Sequence, residues 1–453
     1  MYLKRDIYED LLLWKKKDSG RVLELEGARQ VGKTYILDKF AKENYKKYIY
    51  INMLQTSGEE YLKCLHKATE WEPGQPRKET PLLDAFMMFD GSFEDCKETI
   101  VVIDEIQESA EVYSLIRQFA REFQCHFIVT GSYLGKTLEK EYFLPAGDME
   151  SLTLETLSFE EFLGAVGERE LYHTIDLYGE STHEEYDRLK SWYSIYATIG
   201  GYPAVIKEYL ETKDISKCFV VLDEIIRIFV QESTRYFQNI MEISLFEQIL
   251  PAIALTMAKE KKGSADLVTD LSKVIYKEES NRATKKSIHQ VISWLYNSHI
   301  IGYCGKVNNG DRLDITFNSR FYFMDMGVAQ MFLKMAGVDR DTQAGILAEN
   351  FVYRVLWLNV KKRLIAGYTP NFGTYKEGEI DFFVISHTDE KVYGIEVKAG
   401  KSIGKTANLM LKDGKVDYLY LLKGDTYGGI LDELKYTIPI YLAGRIKFDK
   451  GLK

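Results

Sequence analysis

Residues 21–37 read RVLELEGARQVGKTYIL, and this stretch decides the fold of the N-terminal part of the chain. RVLELE (21–26) reads as a short strand, and a helix is predicted from about Lys33 through Asn44. Between them Gly27-Ala28-Arg29-Gln30-Val31-Gly32-Lys33-Thr34 has the spacing G-x-x-x-x-G-K-T of a phosphate-binding loop. Gly27 and Gly32 let the backbone turn tightly, so that its N–H groups can cradle phosphate oxygens. The start of the new helix adds free N–H groups and a positive dipole end. Lys33 is expected to reach the β- and γ-phosphates, and the Thr34 hydroxyl to ligate magnesium. Residues Gly27 to Tyr35 are therefore the expected nucleotide contacts, with ATP and Mg2+ as the expected cofactors.

Outward from the loop, strands alternate with helices. KYIYIN (47–52) has strand composition, and Pro73-Gly74-Gln75-Pro76 marks a loop. TIVVI (99–103) is apolar throughout, as for a strand covered on both faces. It runs into Asp104 and Glu105, where a second acidic motif is expected: Asp104 to hold magnesium, Glu105 to act as general base toward water. A helix is predicted over 108–123. Strand HFIVT (126–130) ends at Thr130-Gly131-Ser132, where Thr130 or Ser132 would orient the attacking water. The alternation implies an α/β domain with a parallel sheet. Arg117, Arg121 and Arg169 are candidates for an arginine finger, worth about 10³–10⁵ in rate where one is present.

Beyond residue 155 the pattern changes. Residues 158–240 read as mainly helical, with a break at Gly200-Gly201-Tyr202-Pro203. Residues 243–305 suggest three helices followed by a strand pair, IIGYCGKV, then a turn at Asn308-Asn309-Gly310, then RLDITF, the order of a winged helix. Arg282, Lys285, Lys286 and His289 precede or line its candidate recognition helix, with Ile288, Ile292 and Leu295 as the core face. From 345 the texture is α/β again: a helix over 345–361, then strands at 364–369, 379–385 and 392–397.

The last segment carries a second constellation. Asp381 lies in one strand, and Glu396 and Lys398, two residues apart, share a face of the next. Glu349 lies on the preceding helix. Converging carboxylates with a lysine could hold magnesium and activate water for phosphodiester attack. The arrangement looks like the PD-(D/E)xK nuclease pattern, with Asp381 and Glu396 as metal ligands, Lys398 as the water-activating or charge-stabilising lysine and Glu349 as an accessory ligand. The proline of that pattern is missing. An inactive nuclease-like fold is the alternative.

Composition sets the frame. The chain has 453 residues, enough for two to four domains, with 45% hydrophobic and 28% charged residues and a net charge of −9. A dedicated non-specific nucleic-acid binder would be basic, so contact with DNA needs a local patch. Residues 391–453 supply twelve Lys or Arg against seven Asp or Glu. The five cysteines show no metal-ligand spacing and the seven histidines no HExxH or HxH pairing. No apolar run approaches the roughly 20 residues that span a bilayer. The absence of a signal-like N-terminus makes the cytoplasm the expected location, with no membrane partner.

These pieces together resemble a family: AAA-type P-loop ATPases that carry a C-terminal domain of unknown function (DUF4143). The matching segments are ELEGARQVGKTYIL (24–37), VVIDEIQES (101–109), FIVTGSYLG (127–135), LSFEEFL (157–163), GGYP (200–203), YFMDMGVA (322–329), GILAENFVYRVL (345–356), EIDFFV (379–384) and GIEVKAG (394–400). The resemblance implies an ATPase domain over 1–160, a helical lid region over 161–240, a winged-helix-like domain over 241–325 and a restriction-endonuclease-like α/β domain over 326–453. The family often has a Gly-Arg pair before the strand leading to LSFEEF. Here the place reads Ala146-Gly147-Asp148-Met149, which puts the rate of hydrolysis in question more than binding. Two functions stay open: an ATP-hydrolysing motor or switch acting on DNA through its winged-helix and C-terminal domains, or a nucleotide-dependent regulator whose inactive nuclease-like domain binds an unknown protein partner. A metabolite kinase would need an acceptor pocket, of which the sequence gives no sign.

Overall fold

The computed structural model describes residues 2–70, 79–132, 147–237, 243–258, 285–313, 320–398 and 404–452. The Pro73–Pro76 loop, Arg282, Ala146 and the end of the RLDITF segment lie outside them. The chain divides into two compact units, Arg5–Glu155, and Met1–Lys4 with Thr156–Lys453.

The first unit is built on five parallel strands: β1 (Val22–Glu26), β2 (Lys47–Asn52), β3 (Thr99–Asp104), β4 (His126–Thr130) and β5 (Met149–Thr153). Their order is β2-β3-β4-β1-β5. β3 and β4 are buried at every residue. That explains their unbroken apolar runs, since alternation appears only where one face meets water. On one face Ile49, Ile51, Val101, Ile103, Phe127 and Val129 pack against Tyr61, Phe86 and Phe119, with Phe119 stacked on Phe127 at 4.7 Å between ring centroids. Each such side chain, fully buried, stabilises the unit by about 1.5–3 kcal/mol.

The helix expected over 108–123 is instead a 3-10 turn (Ile106–Glu108) and two short helices, Ala110–Ser114 and Ile116–Glu122. Small polar side chains cause the break. Ser109 caps the first helix by accepting from the Val112 amide, and Ser114 donates back to the Glu111 carbonyl at 2.7 Å, which competes with continued helix.

The second unit begins with helices Phe159–Val166, Arg169–Thr174, His183–Ile199, Pro203–Thr212, Ile215–Phe237 and Ile243–Ala258. Ser158 and Thr182 form capping boxes with Glu161 and Glu185 at the starts of two of them. Helix Lys285–Asn297 buries Ile288, Ile292 and Leu295, while Lys286 and His289 are exposed.

A nine-stranded sheet comes next in the chain. Its strands are β6 (Ile301–Asn308), β7 (Arg312–Leu313), β8 (Arg320–Phe323), β9 (Asn371–Tyr375), β10 (Gly378–Ile385), β11 (Val392–Lys398), β12 (Tyr418–Lys423), β13 (Gly429–Asp432) and β14 (Lys435–Pro439). β6 pairs with β7 and β8 antiparallel and with β9 in parallel. The expected boundary between 325 and 326 therefore falls inside one continuous sheet. The strand expected at 364–369 is absent: that segment contributes only an isolated bridge from Ile365 to Ser386. Pro370, which has no N–H to give a ladder, ends the loop, its carbonyl accepts from the Gly305 amide at 2.8 Å, and β9 starts directly after it. Among the described residues no helix is long and apolar enough to cross a membrane.

Candidate functional site

In a parallel sheet all strands end at the same edge, so the residues after β1, β3 and β4 meet there. The order β3-β4-β1 sets β4 between the glycine-rich loop and the acidic pair. The loop winds through positive φ at Gly27 (145°), Gln30 (61°) and Gly32 (97°), which turns successive N–H groups inward. A Cβ on Gly27 would lie 2.0 Å from the Leu154 carbonyl oxygen, whereas one on Gly32 would meet nothing within 4 Å. Ala28 and Val31 are fully buried, Arg29 half-buried, and Gln30, Thr34 and Tyr35 exposed.

Lys33 opens the helix Lys33–Asn44 and is buried. Its ammonium donates to the Gly27 and Ala28 carbonyls, both at 2.8 Å. Burial lowers it to about 8, against the opposing pull of the Glu105 and Asp104 charges. The Thr34 hydroxyl donates to Asp104 Oδ2 at 2.9 Å, and the Tyr50 hydroxyl donates to the same oxygen at 2.7 Å. Asp104 Oδ1 accepts from the Glu105 amide. Burial raises Asp104 above the usual carboxylate range.

Glu105 takes a left-handed backbone conformation, φ 53° and ψ 41°. Its Oε2 accepts from Ser132 Oγ at 2.9 Å and from Gln107 Nε2 at 2.6 Å. Of the two expected water-orienting residues, Ser132 faces Glu105. Thr130 does not: it is wholly buried and its hydroxyl donates to the Leu25 carbonyl, tying β4 to β1. Arg117 and Arg121 both pair with Asp148, at 3.5 and 3.0 Å, just before β5. That is the sheet edge opposite the loop, so neither reaches the phosphate seat of its own unit. Arg169 pairs with Glu160.

Three residues at this site escaped the sequence reading. Arg5 donates from Nη1 to the Val31 carbonyl at 2.9 Å and from Nη2 to the Glu155 carbonyl at 2.6 Å, bracing the loop from outside. No spacing could reveal a contact that spans 150 residues. Tyr50 sits two residues before the end of β2, whose pairing with β3 could have placed it near Asp104. Gln107 lies inside VVIDEIQES, next to the two acids.

The second constellation lies in the other unit. β10 and β11 run antiparallel with Phe382 opposite Ile395, which brings Asp381 beside Glu396. Lys398 Nζ stands 2.9 Å from Glu396 Oε1 and 3.8 Å from Asp381 Oδ2, and the Val397 amide donates to Asp381 Oδ2 at 2.7 Å. Burial and the Glu349 and Glu396 charges hold Asp381 well above the usual carboxylate range. Burial works to lower Lys398, but the charges of Asp381 and Glu396 outweigh it. Glu396 Oε2 is buried without a hydrogen-bond partner. Glu349 is engaged elsewhere: Tyr322 and Arg320 donate to its Oε1, and Arg320 also pairs with Glu379 and lies over the Phe372 ring. Among the described residues no three His, Cys, Asp or Glu side chains stand where they could hold a metal ion.

Residues 19–163 match a family described as an AAA domain (AAA_14). Over that stretch the N-terminal unit is similar to an AAA-type P-loop ATPase domain. Residues 190–339 match a domain of unknown function, DUF8612. Among solved structures, the chain is similar to the Walker-type ATPase PABY2304 of Pyrococcus abyssi, at 15% identity, covering 74% of this chain and 96% of that one, with a TM-score of 0.43. The Aeropyrum pernix ORC1 protein in complex with DNA is 13% identical over 74% of this chain and 93% of its own, with a TM-score of 0.31. The Thermotoga maritima RuvB Holliday junction branch migration motor is 12% identical over 66% and 89%, with a TM-score of 0.30. No curated protein matches the chain.

Proposed function

We infer that the chain is a magnesium-dependent ATP hydrolase that couples nucleotide turnover to DNA or to a protein partner. The observation that carries this reading is the convergence of Thr34 and Asp104 at 2.9 Å beside a buried Lys33, with Glu105 one residue on. A hydroxyl and a carboxylate are the hard oxygen donors that magnesium takes. Bound there with ATP, the ion would neutralise phosphate charge. The loop amides would bind the phosphates, and Lys33 would exchange two carbonyl partners for phosphate oxygens. Glu105 would take a proton from the attacking water. Lys33→Ala should abolish ATP binding. Glu105→Gln should bind ATP but lose about 10²–10⁴ in turnover, the usual share of a general base. Unchanged turnover in Glu105→Gln would show that the base is assigned wrongly.

For the C-terminal constellation two readings have support. The orphaned Glu396 Oε2 and the nearby Asp381 favour a cation-assisted phosphodiester site with Lys398 beside it. The engagement of Glu349 by Arg320 and Tyr322, leaving two carboxylates at most for a metal, favours a catalytically inactive domain that binds a partner. Purified protein with magnesium or manganese should cut plasmid or single-stranded DNA on the first reading, and Asp381→Ala should stop it. Absence of cutting with any metal or nucleotide leaves the second.

A further inference from the structure

Glu105 Oε2 receives three donors, not two. Besides Gln107 Nε2 at 2.6 Å and Ser132 Oγ at 2.9 Å, the Ser132 amide donates at 3.2 Å. An ionised carboxylate oxygen offers about two lone-pair sites, so this oxygen is fully committed and basicity is left to Oε1. The shortest of the three bonds comes from Gln107, whose side chain has no solvent exposure. The left-handed backbone of Glu105 is a conformation that disfavours a residue with a Cβ, and it folds the 3-10 turn back so that residue 107 reaches residue 105. A strained backbone and a buried amide thus act on one oxygen of one side chain.

We propose that Gln107 is a positioning residue for ATP hydrolysis, fixing Glu105 so that Oε1, not Oε2, accepts the proton of the attacking water. This rests on the reading of Glu105 as the general base. In the step, the water oxygen bonds to the γ-phosphorus, its proton passes to Oε1, and the bond from the γ-phosphorus to the bridging oxygen breaks with its electron pair leaving on ADP. Ser132 and Gln107 hold the carboxylate from two separate elements, the end of β4 and the turn after β3. Removing either lets the carboxylate rotate out of line with the water.

The test is a double-mutant cycle in the full-length protein with ATP and magnesium, read as single-turnover hydrolysis and as ATP affinity. Gln107→Leu should lower the rate on the order of 10²-fold, the cost of a misplacement near 1 Å, with ATP affinity unchanged. In the Glu105→Gln background the same substitution should cause no further loss, because the group it positions is already gone. Equal fold losses in both backgrounds, or a full rate in Gln107→Leu, would overturn the proposal. If Gln107→Leu does not fold, Gln107→Asn, which keeps the amide one methylene short, carries the same comparison. The two failures are separable: wild-type turnover in Glu105→Gln removes the base itself, whereas a dead Glu105→Gln beside a normal Gln107→Leu removes only the role of Gln107.

Discussion

The two loop glycines should fail in opposite ways when each is replaced by alanine. At Gly27, φ is 145° and a Cβ would stand 2.0 Å from the Leu154 carbonyl oxygen and 3.0 Å from its carbon. That carbonyl cannot yield cheaply, because the Leu154 amide donates to the Glu26 carbonyl at 2.8 Å where β5 leaves β1. Backbone strain costs about 1–2 kcal/mol. Relieving the overlap costs about 1–3 kcal/mol, and loosening the Leu154 hydrogen bond roughly 1 kcal/mol more. Gly27→Ala should therefore destabilise the N-terminal unit by about 3–6 kcal/mol, a large part of the 5–15 kcal/mol typical of a domain. At Gly32, φ is 97° with open space around it, so Gly32→Ala should cost only the strain, about 1–2 kcal/mol. Its methyl group would instead project toward the seat expected for phosphate. Urea denaturation and ATP titration separate the two effects: Gly27→Ala loses stability, and Gly32→Ala stays folded and loses affinity. A Gly27→Ala protein as stable as wild type, or a Gly32→Ala protein binding ATP normally, would refute the reasoning.

Other perturbations probe the surroundings of the site. Arg5→Lys replaces a fork that reaches two carbonyls with a single ammonium, so it should destabilise the loop by about 1–3 kcal/mol and weaken ATP binding, measured by calorimetry. Tyr50→Phe removes one donor from Asp104 and should change the magnesium concentration needed for half-maximal hydrolysis by up to about tenfold, the equivalent of one hydrogen bond; an unchanged magnesium requirement would count against a role for Tyr50. Glu24 lies buried in β1, where burial and then the Glu26 charge push it up to about 7. A carboxyl raised on folding contributes stability at low pH that is lost as pH rises through the folded value. Glu24→Gln should thus be more stable than wild type by ~3 kcal/mol at pH 8, with the gap shrinking below ~1 kcal/mol at pH 5, as read by denaturation at both pH values. Equal stability at pH 8 would show that Glu24 ionises freely.

Much of the N-terminal unit was legible because its signals are local. A buried parallel strand must be apolar along its length, so β3 and β4 announced themselves, and a phosphate loop needs its glycines at fixed spacing. The acids after β3 came from the same logic. What the sequence hid was long-range or permissive. Arg5 acts on carbonyls far along the chain. Choosing between Thr130 and Ser132 needed the direction of each hydroxyl, and a strand buried on both faces does not announce that its last threonine turns inward to Leu25. In the second unit the strand expected at 364–369 gives way to a single bridge, Ile365 to Ser386, with Gly367 at φ 118° in the loop before β9. Glu349 lies on the helix expected for it, and its contacts with Arg320 and Tyr322, upstream of that helix, follow no local spacing that a sequence could display.

The pairing of β6 with β9 also governs how the protein can be cut. A fragment starting at residue 326 would bare the edge of β9 that pairs with β6 at Asn371 to Gly373 and leave its N–H and C=O groups without partners, the template on which chains stack. Such a piece should aggregate on expression, while one starting at about residue 156 keeps every strand with its neighbour. The two sites can therefore be separated by a cut near residue 156, whereas within the second unit β6 belongs to the same sheet as β9 to β14 and cannot be removed without exposing it.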